Sequence, residues 1–215
     1  MNANNPKKRL VCFDLGGVLI NIHPSLEALC AKYQVPVLPE LFAQTKVSRK
    51  TLKTAYHKGE CNLRTYSKNL GEILENRYTP AQMLTLHKAE IIGAFDDTST
   101  ANLFEELTKA QYTVAILSNT CEAHWQQIIT QYCFPQKTDY LFLSFEINEA
   151  KPAQTFYQIV EETTGFEPEH VIFFDDNDEN VIAAQQRGWY AHQIIGGTPP
   201  LDQIQTILRR YEMLA

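Results

Sequence analysis

The chain has 215 residues, 44% of them hydrophobic and 20% charged, which suits a soluble globular protein able to bury a full core. Its net charge of -6 argues against a broad nucleic-acid surface, which needs clustered Lys and Arg; a small phosphorylated ligand needs only a local positive site. Cys12, Cys30, Cys61, Cys121 and Cys133 form no CxxC pair and are odd in number. They read as small buried hydrophobes in a reducing cytosol rather than as a disulfide framework.

Residues 1–8 are polar and are expected to be loose. Lys7-Lys8-Arg9 precedes an apolar stretch, as in a secretory leader, but Asp14 and Gly16-Gly17 interrupt it and no small-residue cleavage site follows. No segment approaches the roughly 20 apolar residues needed to span a bilayer. A cytoplasmic protein without a membrane partner is expected.

Leu10-Val11-Cys12-Phe13 is a short apolar run that stops at Asp14 and reads as a buried parallel strand. Similar runs recur at Thr113–Leu117, ending at Ser118, and at Tyr140–Leu143, ending at Ser144. Val171–Phe174 ends at Asp175, and Tyr190–Ile195 ends in Gly196-Gly197. Helical stripes lie between them: Trp125, Ile128, Ile129 and Tyr132; then Phe156, Ile159, Val160 and Thr163, stopped by Gly165; then Leu201, Ile204, Ile207, Leu208 and Tyr211. Strands alternating with helices imply an α/β domain with a parallel sheet.

Residues from about 20 to 95 break that alternation and read as helix after helix. Leu26, Leu29, Cys30 and Tyr33 form one stripe, and Leu63, Tyr66, Leu70, Ile73 and Leu74 another. Thr79-Pro80 reads as an N-cap followed by Pro at the first helical position, opening a helix towards Ile92. The expected organisation is a core of residues 1–20 and 96–215, with a helical insert over 21–95.

Ligands in an open α/β sheet bind beyond the carboxyl ends of the strands. Asp14, Ser118, Lys151 and Asp175-Asp176 fall in or near that zone. Taken singly each reads as a loop residue or a helix cap, and Asp is favoured at a helix N-terminus in any case. Jointly they bring carboxylates, a hydroxyl and an ammonium to one rim.

Four segments then resemble the motifs of the haloacid dehalogenase (HAD) superfamily. They are Phe13-Asp14-Leu15-Gly16-Gly17-Val18-Leu19, Leu117-Ser118-Asn119-Thr120, Glu149-Ala150-Lys151-Pro152 with Phe156, and Phe173-Phe174-Asp175-Asp176-Asn177 with Asn180. Their order and spacing are similar to the family's over residues 9–195. The resemblance is to the branch holding α-glucose-1-phosphate phosphatases and the N-terminal phosphatase domain of soluble epoxide hydrolases. It implies a Rossmann-like core with strand order 5-4-1-2-3, the strands numbered in chain order, and an inserted helical type 1 cap hinged near residues 20 and 95.

The resemblance further implies a phosphatase for a small phosphorylated metabolite, such as a sugar phosphate, with Mg²⁺ as cofactor. Asp14 would attack phosphorus. Mg²⁺ would be held by Asp14, the carbonyl of Gly16 and Asp176, with Asp175 either a ligand or a support. Ser118 and the backbone amides of Asn119 or Leu15-Gly16 would bind phosphoryl oxygens, and Lys151 would neutralise Asp14 and phosphate together.

One position departs from the pattern. Most family phosphatases carry an acid–base Asp two residues after the nucleophile, and here that position is Gly16. His23, Glu60 and Arg64 in the insert are candidates to replace it, each also readable as an ordinary surface residue. The departure leaves two alternatives open: a 2-haloacid dehalogenase, against which the acidic pair speaks, and a non-catalytic protein that binds phosphometabolites or a protein partner. Oligomeric state is not encoded in any recognisable pattern.

Overall fold

The computed structural model describes residues 9–214. The expectation about residues 1–8 lies outside that range. The first strand, β1 (Leu10–Phe13), is followed by β2 (Ile20–Ile22) and four helices: α1 (Leu26–Lys32), α2 (Pro39–His57), α3 (Leu63–Ile73) and α4 (Pro80–Lys88). After β3 (Ile91–Ala94) come α5 (Asp97–Lys109), β4 (Thr113–Ser118), α6 (Glu122–Gln131), β5 (Tyr140–Leu143), α7 (Ser144–Ile147) and α8 (Gln154–Thr164). The chain ends with β6 (Val171–Asp175), α9 (Asp178–Gln186), β7 (Tyr190–Gln193) and α10 (Pro200–Arg210).

The main sheet has the order β5-β4-β1-β6-β7 and every pair in it is parallel. Counted over its own strands this is the expected 5-4-1-2-3 arrangement, read from the opposite edge. Alternate residues of each strand feed opposite faces, as the two-residue period of a strand requires. Val11, Phe13, Val114, Ile116, Ile172 and Phe174 join one apolar cluster, while Leu10, Cys12, Ala115, Leu117, Val171 and Phe173 join the other. Both faces are covered by helices, which is why these strands read as unbroken apolar runs. Burial of one such Phe or Leu side chain contributes about 1.5–3 kcal/mol.

The helices α1–α4 have a cluster of their own, built on Leu29, Phe42, Tyr56, Tyr66, Leu70, Leu74 and Leu86. They form a helical cap. Its helices start where side chains can satisfy their free N–H groups: Ser25 accepts from Ala28 N, and Asn62 from Thr65 N. Thr79 and Gln82 form a reciprocal capping box with Pro80 at the first turn.

The expectation that this helix runs towards Ile92 is corrected. It ends at Lys88, and Ile91–Ala94 is a strand that pairs antiparallel with Ile20–Ile22. A lone apolar run of Ile91-Ile92 fits helix or strand equally by pattern. Pairing with β2, which is distant in sequence, decides it. The stretch from 20 to 95 is therefore not purely helical: it enters and leaves the cap through a two-stranded ribbon.

The cap touches the core at the end of α2. Ser144 Oγ donates to His57 O at 2.6 Å and accepts from Thr120 N at 3.0 Å. Asn148 Nδ2 donates to Lys58 O at 2.9 Å. Cys121, from the core, is buried within the cap's apolar cluster.

Candidate active site

Three adjacent strands, β4, β1 and β6, end side by side, and their ends carry Ser118, Asp14 and Asp175. The backbone of Asp14 is still tied to β6, its N–H donating to Phe174 O at 2.9 Å. The chain then folds into a tight loop in which Leu19 N and Ile20 N both donate to Leu15 O, at 2.9 and 2.7 Å. Gly17 sits in this loop with φ +75°, a conformation that side chains with a Cβ disfavour.

Lys151, from the loop between α7 and α8, is almost fully buried and joins the strand ends. Its Nζ lies 2.9 Å from Asp14 Oδ1 and 2.6 Å from Asp175 Oδ2, and donates to Leu117 O at 2.7 Å. Three short contacts saturate the three protons of an ammonium. Asn119 positions this lysine: its Nδ2 donates to Lys151 O at 2.7 Å and its Oδ1 accepts from Lys151 N at 2.9 Å. The side chain of Asn119 is thus committed to the backbone of Lys151.

The two adjacent acids differ. Asp175 is fully buried. Besides Lys151 it accepts from Asn177 N at 2.8 Å and from Asn180 Nδ2 at 3.1 and 3.0 Å. Asp176 is exposed. One carboxylate oxygen from each of Asp14, Asp175 and Asp176 lies within 4.8 Å of the others. Three carboxylates so close make a hard oxygen donor set, suited to a cation such as Mg²⁺.

Burial pushes the Asp14 carboxyl up to about 7, with Asp175 and Asp176 adding to the effect against the pull of Lys151. The same burial would lower Lys151, but Asp14 and Asp175 outweigh it and hold its ammonium above the ordinary lysine value. Burial and then Asp175 raise Asp176. Crowded negative charge is the common cause, and positive charge placed among these groups would relieve it.

Asp14, Gly16, Ser118, Asn119, Lys151 and Asp176 all line one cleft of about 230 Å³. Asp176 and Gly17 also border a larger space of about 1160 Å³ on the cap side. The structure thus brings together the residues singled out from sequence. It does not bring in the three cap candidates: His23 lies in the larger cap-side space, and Glu60 and Arg64 border neither cavity. His23 Nε2 is 3.1 Å from Lys32 Nζ, while Glu60 is exposed beside Lys58.

The polar cap residues that do reach the small cleft are Lys53, His57 and Glu90, joined by His124 of α6. Lys53 and Glu90 form an ion pair. Burial alone would raise the Glu90 carboxyl, but Lys53 and His124 overcome it and hold it at about 2. Burial, then the nearby Lys53 charge, lowers the His57 ring to about 3. Sequence reasoning missed this group. The one available signal was Lys53 and His57 at i, i+4, which places them on one face of α2.

An α/β core with a helical cap, and a lysine-bridged set of carboxylates at the sheet's carboxyl rim, define a hydrolase of the HAD type. Residues 8–188 match the haloacid dehalogenase-like hydrolase family, and the chain belongs to it. It is 21% identical over 210 residues to D-ribitol-5-phosphate phosphatase of Bacteroides thetaiotaomicron, covering 92% of this chain and 97% of that protein. A HAD-family enzyme of the same organism, crystallised with magnesium and inorganic phosphate, has a TM-score of 0.71 at 21% identity. That alignment covers 89% of this chain and 96% of the other. A dehalogenase structure aligns with a TM-score of 0.63 at 21% identity, over 90% of this chain and 88% of its own. Phosphatase and dehalogenase share this fold, so the reaction must be argued from the site.

Proposed function

We propose that this chain is a Mg²⁺-dependent phosphomonoesterase for a small polar phosphate ester, acting through a phosphoryl group carried on Asp14. The cap is taken as residues 21–95 and the core as 1–20 and 96–215. The observation that carries the reading is the Lys151 ammonium, 2.9 Å from Asp14 and 2.6 Å from Asp175, beside the exposed Asp176. A dehalogenase has no use for a hard-cation donor set, and the acidic pair supplies one.

Asp14, Asp176 and the carbonyl of Gly16 would hold the cation. Asp175 supports them from behind, because its oxygens are already engaged by Lys151, Asn177 and Asn180. When bound, Mg²⁺ supplies the positive charge that lets one anion approach another.

A carboxylate oxygen of Asp14 attacks phosphorus as the ester oxygen departs, giving an aspartyl-phosphate and an alkoxide that takes its proton from solvent. Water then attacks the same phosphorus and returns Asp14 as a carboxylate. The Ser118 hydroxyl and the Asn119 N–H donate to the phosphoryl oxygens, and Lys151 balances charge on both Asp14 and phosphate. The cap excludes water during transfer and admits it afterwards.

The match to a pentitol phosphate phosphatase supports a sugar or sugar-alcohol phosphate as substrate class. The space on the cap side, bordered by Asn21, Lys53 and Glu90, offers polar groups for hydroxyls. The test is phosphate release from p-nitrophenyl phosphate with Mg²⁺ and with EDTA, followed by a panel of sugar, pentitol and nucleoside phosphates. Activity should require Mg²⁺ and vanish in Asp14→Asn with the fold intact. Undiminished turnover in that variant, or release of halide from a 2-haloacid without metal, would sink the reading.

A further inference from the structure

A second group of metal-competent side chains lies where the cap meets α6, and the reaction proposed above does not use it. His57 is the last residue of α2, Cys121 is the N-cap of α6, and His124 lies in that helix's first turn. One donor atom from each lies within 4.8 Å of the other two. Cys121 is fully buried and His124 nearly so.

Of these donors His57 Nε2 is left unpaired, while Cys121 and His124 engage each other. His57 Nε2 is sealed from solvent and has no partner, an arrangement that is unfavourable unless a ligand satisfies it. His124 Nε2 lies 2.9 Å from His87 O, so the ring donates there and leaves Nδ1 as the acceptor on the side of Cys121. Cys121 Sγ lies 3.9 Å from His87 Nε2 and also contacts the His124 ring and the Tyr56 hydroxyl. The neighbouring set of His87, Glu90 and His124 is also close, but Glu90 is held by Lys53 and His87 is contacted by Tyr56 and Cys121.

We propose that His57, Cys121 and His124 form a cation site distinct from the acidic one, selective for a thiolate- and imidazole-preferring divalent ion of the Zn²⁺ class. One sulfur and two imidazole nitrogens are three of the four ligands such an ion takes, and a hard ion such as Mg²⁺ avoids them. Tetrahedral bonds of about 2.0–2.3 Å place one sulfur and two nitrogens roughly 3.3–3.5 Å apart, so the donors need to draw together by about 1.5 Å at most. His57 and Cys121 both stand at helix ends, where such a shift costs least. On binding, the Cys121 thiol releases its proton to solvent and sulfur forms the metal bond. His57 and His124 also line the small cleft, which leaves the fourth position to water. His57 belongs to the cap and the other two ligands to α6, so the ion ties cap to core.

Cobalt(II) tests this directly, because a thiolate bound to it gives a near-ultraviolet charge-transfer band whatever the catalytic state. Titration in excess Mg²⁺ should develop the band with about one equivalent of cobalt, and Zn²⁺ should displace it. Asp176→Asn, which disables only the acidic site, should keep the band. Cys121→Ser and, as a second variant of separate folding risk, His57→Gln should each lose it, with circular dichroism unchanged. No band in the unaltered protein, a band that survives Cys121→Ser, or one that depends on Asp176 would overturn the assignment. Failure of phosphatase activity would leave these readouts unaffected.

Discussion

A Cβ placed on Gly17 would stand 2.3 Å from Asp176 Oδ2, closer than any real Cβ contact. The nucleophile loop and the acid after β6 therefore pack through a glycine that has no side chain to give. Gly17 also holds a φ of +75°, which costs an L-residue roughly 1–2 kcal/mol. Gly17→Ala is expected to lower stability by about that amount and to displace Asp176. Calorimetry should show Mg²⁺ binding weakened by tenfold or more. Binding that matched the unaltered protein would mean that Asp176 moves aside freely.

Gly16 behaves differently from its neighbour. A Cβ there would meet Ile22 Cδ1 at 3.1 Å, the end of a flexible side chain that can yield. Gly16→Asp should therefore fold and place a carboxyl near the leaving group. Positioned acid–base catalysis is worth about 10²–10⁴-fold. The kcat for alkyl phosphates should rise within that range, while p-nitrophenyl phosphate, whose leaving group needs no proton, should change little. Equal effects on both esters would place the proton route elsewhere.

The affinity for Mg²⁺ should depend on pH through Asp14. Its carboxyl lies at about 7 in the protein without metal, chiefly from burial. Below that pH a proton competes with the cation, and binding must release it. The dissociation constant should rise by about tenfold per pH unit below 7 and level off above it. The same raised pKa makes the metal-free fold bind the proton more tightly than the unfolded chain does. This group's contribution to stability is thus full below about pH 4 and lost as pH climbs through 7. Calorimetry at pH 8 and pH 6 in two buffers of different ionisation enthalpy checks both proton release and affinity. A flat profile would contradict the electrostatics of the site.

Ser144 supplies a buried bond between core and cap through His57 O, at 2.6 Å. Ser144→Ala leaves that carbonyl and Thr120 N without their partner. It should cost about 1–3 kcal/mol in thermal or urea unfolding. Because α2 would be less firmly held, proteolysis after Lys53 or Lys58 should quicken more than cleavage in the core. Unchanged cleavage at both sites would show that the bond does not hold the cap closed.

The five apolar strands, the helical stripes and the four polar segments at strand ends are legible from residue order alone. Each depends on short-range physics: period, capping and the run of buried side chains. Leu10–Phe13 is apolar because both faces of β1 are covered, and Asp14 marks its end because a polar group is tolerated only at the rim, where it finds partners. The same logic locates Ser118 and Asp175. Only the tertiary structure decided which charges meet. Lys151 is 137 residues from Asp14 in sequence, yet their contact follows from β1 lying between β4 and β6. The ribbon of Ile20–Ile22 with Ile91–Ala94 and the Lys53–Glu90 pair were invisible for the same reason. Strand pairing and ion pairing across a long loop depend on what the rest of the chain places opposite, and no local pattern records that.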